Sequence, residues 1–307
     1  MSGNVNIPDA LARTNISLHG QEGIAWMQRL PDLLAWCEER WSLKVGPPFP
    51  NLSYNYAAPA LRSDDMPAVI KLSFPDREFR TEAEALRLYN GEGAANLYEV
   101  DFEQGILLIE QILPGTLLSQ IEDDAHATSI AASVMKQLWR PVPDDHPFPT
   151  VADWAKGLQR LRARFDGGTG PLSNRLVEQA EALFHDLLPS MSEPVLLHGD
   201  LHHFNILAAT RQPWLAIDPK GVVGEAEYEV GALLRNPTPE IGTWVGLSRI
   251  EERRIKQLAE ELGFDAKRLR DWGLAQAVLS AWWSIEDTGE GWEEAMRIAQ
   301  ALSEIQV

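Results

Sequence analysis

The chain has 307 residues, 45% of them hydrophobic and 23% charged, which is typical of a globular protein with about two domains. Its formal charge of -18 argues against non-specific nucleic-acid binding, which needs Lys and Arg to neutralise phosphates. The single cysteine excludes an intramolecular disulfide, and no signal-peptide pattern or long apolar run is present. We therefore expect a cytoplasmic protein with no nucleic-acid or membrane partner.

The N-terminal region predicts an irregular segment followed by a helix. Residues 1–19 are polar and show no periodicity, so we expect a loose lead-in. From Gln21 to Trp41, apolar residues recur at helical spacing and Pro31 interrupts them, which predicts a helix pair or a kinked helix. Residues 1–45 would form this lead-in and a helical segment that packs beside a small sheet.

Short strands dominate the next part of the chain and helices dominate the rest, so we expect a domain boundary near residue 112. Glu225 to Val230 predicts a further helix start whose acidic residues suit the helix dipole. The other predicted elements are a strand or hairpin edge at 51–58, strands at 67–74, 97–102 and 105–111, and helices at 77–89, 123–139, 151–165, 172–188, 249–262 and 269–285.

The stretch from Val195 to Gly221 places polar residues among short apolar segments that predict buried strands. Asp200 and Asn205 lie on one predicted loop, and Asp218 follows the next strand, so a hairpin would bring two carboxylates and an amide together. The alternative is structural: Asp200 caps a turn, Asn205 pairs with backbone and Asp218 starts a proline turn.

The order Asp200-x-x-x-x-Asn205, then Ile217-Asp218-Pro219, resembles the H-R-D-x-x-x-x-N and D-F-G signatures of kinases. The fuller strings HGDLHHFNIL, AIDPKGVVGE and LLRNP resemble the aminoglycoside and hydroxyurea phosphotransferase family, which contains the streptomycin 6-phosphotransferases. This resemblance implies an α+β, two-lobed protein-kinase-like fold. Its small antiparallel-sheet lobe would span residues 46–111 and its larger, mainly helical lobe residues 112–307, with the site in the cleft.

The resemblance also implies the chemistry. Asp200 would orient the substrate hydroxyl and accept its proton as the catalytic base. Asn205 and Asp218 would bind Mg²⁺, because this ion prefers hard oxygen ligands. The phosphoryl donor would be ATP, with GTP left open, and the acceptor a hydroxyl of an aminoglycoside such as streptomycin.

Lys71, within a predicted strand, would contact the nucleotide phosphates and pair with a helical glutamate. Glu82 is the preferred partner because it matches an E-x-x-x-L pattern, and Glu84 is the reserve. In a helix the two point about 200° apart, so only one can face the lysine. The alternative is a strand in which Lys71 lies on the solvent-exposed face.

Two further segments would complete the nucleotide site. The backbone of about Glu110 to Leu113, with Glu110 and Ile112 as the contact residues, would meet an adenine-like base, as in the family's lobe connector. Residues 51–58 occupy the place of the kinase phosphate loop but contain no glycine. Ser53 and Asn55 stand there instead, and they would bind phosphate or stabilise a turn.

A cationic acceptor would bind near the end of the last long predicted helix, where Trp283, Glu286 and Asp287 combine an indole with carboxylates. The alternative is a buried tryptophan stripe followed by a solvated acidic turn. Lys220 would assist a phosphate oxygen or lie at the surface.

Two other functions stay open at this stage. One is a kinase for a different small hydroxylated or amino-alcohol metabolite. The other is a nucleotide-binding homologue without catalysis, which the missing glycines favour and the intact polar residues oppose. A protein kinase is disfavoured because no A-P-E-like segment follows Asp218.

Overall fold

The computed structural model describes residues 7–50, 52–238 and 240–307. The chain forms two compact units, Met1–Leu113 and Pro114–Val307. The first unit therefore contains both the N-terminal helix and the strands that follow it, and the expected three-part division at residues 45 and 111 remains a prediction. Among the described residues, no helix is long and apolar enough to cross a membrane.

The first helix, α1, spans Asp9–Trp41, so the prediction of a loose lead-in up to residue 19 is wrong from Asp9 onward. The first turns of this helix bury polar Thr14 and Asn15 beside Leu11 and expose Ile16 and Leu18, so they show no apolar period. Asn15 also donates a hydrogen bond to the Tyr54 carbonyl at 3.0 Å, which ties the helix to the loop before the sheet. The helical path departs from regular geometry at Gly20 (φ 55°) and continues through Pro31.

The first unit also contains β1 (Lys44–Val45), β2 (Tyr56–Leu61), β3 (Pro67–Leu72), α2 (Arg77–Tyr89), β4 (Leu97–Asp101) and β5 (Ile106–Glu110). These five strands form an antiparallel sheet in the order β1-β2-β3-β5-β4. The apolar face of the sheet packs against α1, with Leu30, Tyr56, Ile70 and Ile106 in one core.

The second unit is mainly helical. Its longest helix, α8 (Ala266–Asp287), has buried residues on most of its surface, and α9 (Trp292–Glu304) packs along it. The helices are α3 (Asp124–Leu138), α4 (Val151–Arg164), α5 (Asn174–Leu187), α6 (Val230–Leu234), α7 (Leu247–Leu262), α8 (Ala266–Asp287) and α9 (Trp292–Glu304). The strands are β6 (Pro114–Leu117), β7 (Val195–Leu197), β8 (Ile206–Ala209), β9 (Trp214–Ala216) and β10 (Val222–Gly224).

Two small sheets position the polar loops of this unit. Strand β8 pairs with β9 in an antiparallel hairpin, and β7 pairs with β10. The hairpin continues beyond the strands, since the Ile217 N–H donates to the Asn205 carbonyl at 2.9 Å. The loop 198–205, called the catalytic loop below after the role that the sequence predicts for it, and the turn 217–221 therefore lie side by side.

Candidate active site

The first unit contains a buried ion pair. The Lys71 ammonium on β3 donates to the Glu82 carboxylate on α2 at 2.6 Å, and both side chains are less than a tenth exposed. Glu84 instead pairs with Arg87 at the surface, so the helix geometry selects Glu82. Lys71 is buried, and the alternative of a wet strand face is wrong. Burying two charges is costly unless each is paired, which favours a role beyond packing.

The segment expected to meet a nucleotide base follows directly from β5. The Glu110 N–H donates to the Asn96 carbonyl at 2.8 Å, so the predicted contact of Glu110 with a base would use its carbonyl as the acceptor. Ile112 is buried, and within the described residues its N–H has no hydrogen-bond acceptor. One acceptor and one donor, two residues apart, suit an adenine edge. Ser53 lies exposed in a bend before β2.

In the second unit, His198 at the start of the catalytic loop has a defined tautomer. Its Nδ1 accepts the Asp200 backbone N–H at 3.2 Å, and its Nε2 donates to the Ile217 carbonyl at 2.8 Å. This pattern requires neutral imidazole, because both ring nitrogens of imidazolium are donors. Burial agrees with it and lowers the pKa of His198 from 6.5 to about 4. The ring thus joins the catalytic loop to the turn before Asp218.

Glu229 holds the backbone of the same loop. Its two carboxylate oxygens accept the N–H groups of His198 and Gly199 at 2.7 and 2.9 Å, and the side chain is fully buried. Burial raises the pKa of Glu229 to about 7, although both backbone hydrogen bonds lower it. The acidic residues from Glu225 to Val230 were predicted to interact favourably with a helix dipole. That prediction misses the hydrogen bonds of Glu229, whose side chain faces the loop.

Asp200 lies partly exposed beside His202 and Arg235. Its carboxylate is 3.5 Å from Nε2 of His202 and 3.5 Å from the Arg235 guanidinium. Burial raises the pKa of this carboxyl, but His202 lowers it by charge and by a hydrogen bond. Arg235 and Lys220 add positive charge, so the pKa lies well below its usual range. Asp200 is therefore ionised at neutral pH and can accept a hydrogen bond from a hydroxyl.

Asn205 and Asp218 occupy adjoining positions at the end of the β8–β9 hairpin. The Asn205 amide nitrogen donates to the Asp200 backbone carbonyl at 3.0 Å, which orients the amide and leaves Oδ1 as its ligand atom. Asp218 has a left-handed backbone (φ 58°), a conformation that is uncommon outside glycine and is often held in place at functional sites.

This donor set fits Mg²⁺. Among the residues that the structure describes, no cluster of at least three His, Cys, Asp or Glu forms a metal cage. One amide oxygen and one carboxylate do not suit a structural metal such as Zn²⁺, which takes four protein ligands. Mg²⁺ is usually held by one or two carboxylates together with substrate phosphates and water.

The comparisons with known proteins agree with this geometry. The profile of the family described as aminoglycoside/hydroxyurea antibiotic resistance kinase matches residues 53–288. Streptomycin 6-kinase from Streptomyces griseus is 30% identical over 287 residues, which cover 93% of each protein. Hydroxyurea phosphotransferase from Kitasatospora aureofaciens is 32% identical over 294 residues, covering 92% of this chain and 81% of that protein. The chain belongs to the aminoglycoside/hydroxyurea antibiotic resistance kinase family.

A solved structure similar to this resistance kinase supports the fold. A thermostable mutant of an aminoglycoside phosphotransferase, in a ternary complex with ADP and hygromycin B, matches with a TM-score of 0.63 at 14% identity. The match covers 88% of this chain and 96% of that one. The predicted protein-kinase-like α+β fold is confirmed. As a member of this family, the chain is a phosphotransferase that acts on a hydroxyl acceptor.

The residues expected to bind the acceptor in this resistance kinase are largely engaged with the protein. Both Glu286 oxygens accept from the Arg160 guanidinium, at 2.7 and 2.8 Å. The Trp283 ring packs edge-on against Trp154. Asp287, the last residue of α8, is half-buried. The end of α8 therefore presents less free negative charge than its sequence indicates.

Three side chains at the site of the resistance kinase were not assigned from the sequence: Glu229, Arg235 and Trp154. The Trp154 ring lies against Gly199, where an added Cβ would approach its edge to 2.7 Å. Gly199 also has a φ of 83°, a left-handed conformation that favours glycine. A larger residue at this position is therefore disfavoured both by the backbone conformation and by the contact with Trp154. A signal existed for two of the three, because Glu229 and Arg235 flank the apolar run VGALL and would be buried with it.

The neutral state of His198 predicts a pH-dependent contribution to stability. Below pH 6.5 His198 binds a proton in the unfolded chain, whereas in the folded protein it does so only near pH 4. The contribution of His198 to the free energy of unfolding is therefore fully present above pH 6.5 and is lost as the pH falls towards 4. We expect the destabilisation by His198→Gln to shrink by about 2 kcal/mol between about pH 7.5 and pH 5. Urea unfolding at both pH values measures it.

Glu229 also makes the free energy of unfolding depend on pH, because its raised pKa stabilises the fold at low pH, in the opposite direction to His198. Comparing His198→Gln with the wild type at each pH removes this effect, since both proteins contain Glu229. His185→Gln is the control, because His185 is exposed at the end of α5. A destabilisation by His198→Gln that is equal at both pH values would contradict the neutral assignment.

Proposed function

We propose that the chain transfers the γ-phosphoryl group of ATP, with Mg²⁺, to a hydroxyl of a streptomycin-type aminoglycoside. The observation that supports this most is that Asn205 and Asp218 lie at the open end of the β8–β9 hairpin while the Asn205 amide is anchored on the backbone of Asp200 in the preceding loop. The streptomycin and hydroxyurea kinases among its relatives support the acceptor class.

The residues of each unit have separate roles in this proposal. In the first unit, Lys71, held by Glu82, contacts the phosphates, and the Glu110 carbonyl and Ile112 N–H bind the base. Ser53 contributes a phosphate hydrogen bond. In the second unit, Asp200 orients the acceptor hydroxyl and accepts its proton as the bond to phosphorus forms.

Asn205 and Asp218 hold Mg²⁺ in this proposal, and the bound ion neutralises charge on the phosphate oxygens. Glu229 and His198 keep the catalytic loop in place for this arrangement. Arg235 keeps Asp200 ionised and fixes its direction.

A nucleotide-consumption screen tests the proposal. The acceptors are streptomycin, other aminoglycosides, hydroxyurea and choline-like amino alcohols, each with ATP and with GTP, and mass spectrometry checks for the phosphorylated product. Turnover with an aminoglycoside supports the proposal. Turnover only with an amino alcohol would assign a different kinase, and nucleotide binding without any turnover would indicate an inactive homologue.

Glu82→Gln tests the phosphate-binding role of the buried pair. Removing the charge frees Lys71 from its 2.6 Å contact, so we expect the KM for ATP to rise about tenfold. The matched control is Glu84→Gln, since Glu84 pairs with Arg87 at the surface. Steady-state kinetics with ATP varied measures both variants. An equal response of the two would remove Glu82 from the nucleotide site.

A further inference from the structure

The 52–55 loop of the first unit lies beside the buried Lys71. The backbone pairing of β1 with β2 continues past the strands to Phe49, whose N–H donates to the Ala57 carbonyl at 2.9 Å. Ala57 in turn lies opposite Lys71 in the register of β2 and β3. The loop therefore leaves the sheet at the strand end where Lys71 pairs with Glu82, which is where the phosphates bind in the proposed function.

This loop has none of the glycines on which kinase phosphate loops depend. No glycine occurs between Gly46 and Gly91. Glycine lets a backbone approach phosphate closely, and a glycine-rich loop covers the phosphates of a kinase nucleotide. The 52–55 loop bends without it and leaves the side chains of Ser53 and Tyr54 exposed. If such a loop were unanchored, it would lose conformational freedom on binding a ligand, and this loss would weaken binding.

Asn15 on α1 anchors the loop in the absence of a ligand. Its side chain is 2% exposed, and its amide nitrogen donates to the carbonyls of Leu11 and Tyr54, both at 3.0 Å. Both partners are acceptors, so the position needs an NH₂ group with two hydrogens, which a carboxylate or a hydroxyl lacks. The amide thus links the backbone of the loop to a helical turn that lies 39 residues earlier in the chain.

The turn of α1 that carries Asn15 is itself held in place. Gly20 has a positive φ of 55° and interrupts the helix, so the preceding arm, residues 9–19, folds against the turn that follows. Gly23 marks the contact, because an added Cβ would collide with the Asn15 carbonyl oxygen. In a continuous helix these two residues would lie about 12 Å apart. Leu11 fixes the arm in the core of the first unit, where its side chain is fully buried.

We propose that Asn15 is a positioning residue for the nucleotide, and that the arm 9–19 is a strap that holds the 52–55 loop in its phosphate-binding form. Asn15 acts through the Tyr54 backbone and does not contact the nucleotide. The inference rests on the proposed ATP-dependent function and adds how a loop without glycine supports it. Because the strap orders the loop in advance, less binding energy is lost when the phosphates arrive.

Calorimetric titration of the full chain with two nucleotides tests this role without depending on turnover. The titrants are AMP and a non-hydrolysable ATP analogue, each with Mg²⁺. Asn15→Leu keeps a buried side chain of similar size and removes the hydrogen-bond donor. We expect it to bind the ATP analogue about fivefold more weakly than the wild type and to bind AMP equally well, because AMP lacks the phosphates that the loop would hold. A general loss of stability would not separate the two nucleotides.

Gly23→Ala tests the strap from the other side of the contact. The added Cβ displaces the arm while the Asn15 amide stays intact, so binding of the ATP analogue should again weaken and binding of AMP should not. Two controls should bind both nucleotides as the wild type does. Thr14→Val is a shape-conserving change at a neighbouring buried residue, and Gly273→Ala places a Cβ against Leu234 in the core of the second unit. Thermal melting of all four variants checks the fold.

Steady-state kinetics adds a second readout. In Asn15→Leu the KM for ATP should rise by the same factor, while kcat at saturating ATP and the acceptor KM stay unchanged. The reason is that the loop must be ordered equally in the ground state and in the transition state, so the variant loses uniform binding only.

The outcomes separate this inference from the proposed function. Wild-type turnover and an unchanged affinity for the ATP analogue in folded Asn15→Leu would overturn the inference and leave the kinase function standing. Weaker binding of the ATP analogue alone, with no turnover in any protein, would support the strap and count against the kinase function. Equal weakening of both nucleotides, or the same weakening in Thr14→Val, would make Asn15 a purely structural residue and overturn the inference. No binding of either nucleotide by the wild type would overturn both.

Discussion

Asp200→Asn is expected to lower phosphoryl transfer by about 10²–10⁴-fold, the usual contribution of a positioned general base. The substitution keeps the shape of the side chain and removes the charge that a substrate hydroxyl needs. Mg²⁺-nucleotide affinity should stay unchanged, because Asn205 and Asp218, not Asp200, are the proposed metal ligands. Single-turnover kinetics and nucleotide titration measure the two effects separately.

The matched control is Asp186→Asn, an exposed aspartate outside the site. Asp200→Asn also leaves the Arg235 guanidinium without its carboxylate at 3.5 Å, although Gln276 still accepts from Arg235 at 2.7 Å. Thermal melting therefore accompanies the kinetics. A folded Asp200→Asn protein with full turnover would remove Asp200 as the base.

Glu229→Gln is expected to lower both stability and turnover, although Glu229 is not expected to touch a substrate. A carboxylate accepts the N–H groups of His198 and Gly199 with its two oxygens, whereas an amide offers one oxygen and turns an NH₂ group toward the other donor. One buried N–H left unsatisfied costs about 1–3 kcal/mol. A shift of the loop by about 1 Å would lower kcat by about 10²-fold.

Glu227→Gln is the natural control, because Glu227 lies two residues away and its Oε2 has no hydrogen-bond partner in the described part of the chain. Urea unfolding and kcat are measured for both variants. If Glu229→Gln loses stability but keeps the wild-type kcat, Glu229 supports the fold without positioning Asp200.

Local patterns in the sequence were sufficient for most elements of the fold. Helix α2 begins and ends where its spacing predicts, at Arg77 and Tyr89, because Asp76 accepts the Phe79 N–H and Asn90 adopts a left-handed conformation. The resemblance to the kinase family implied the α+β class. The first turns of α1 were missed, since this part of the helix buries the polar Thr14 and Asn15 and exposes Ile16 and Leu18, which removes the apolar period.

The electrostatic state of single residues was less predictable. From the sequence, Lys71 could lie on a solvent-exposed face of its strand or form a buried ion pair with a glutamate. Only the packing of α2 against the sheet makes it buried. From the sequence, the acidic end of α8 was expected to carry unpaired negative charge. In the structure Arg160, 126 positions away, neutralises Glu286. Such contacts join distant positions, so no local period reveals them.

The sequence by itself determined the reaction class, because Asp200, Asn205 and Asp218 follow one another at local spacings that resemble the kinase signatures, and local spacing is readable from the order of residues. Only the tertiary structure decided how that motif is held and where free charge remains. Three features depend on which groups are buried together. They are the hydrogen bonds from the loop backbone to Glu229, the pairing of Asp200 with Arg235, and the ring of His203, which has no hydrogen-bond partner among the described residues. Desolvation is a property of the packed chain, so it is set by neighbours in space and not by neighbours in sequence.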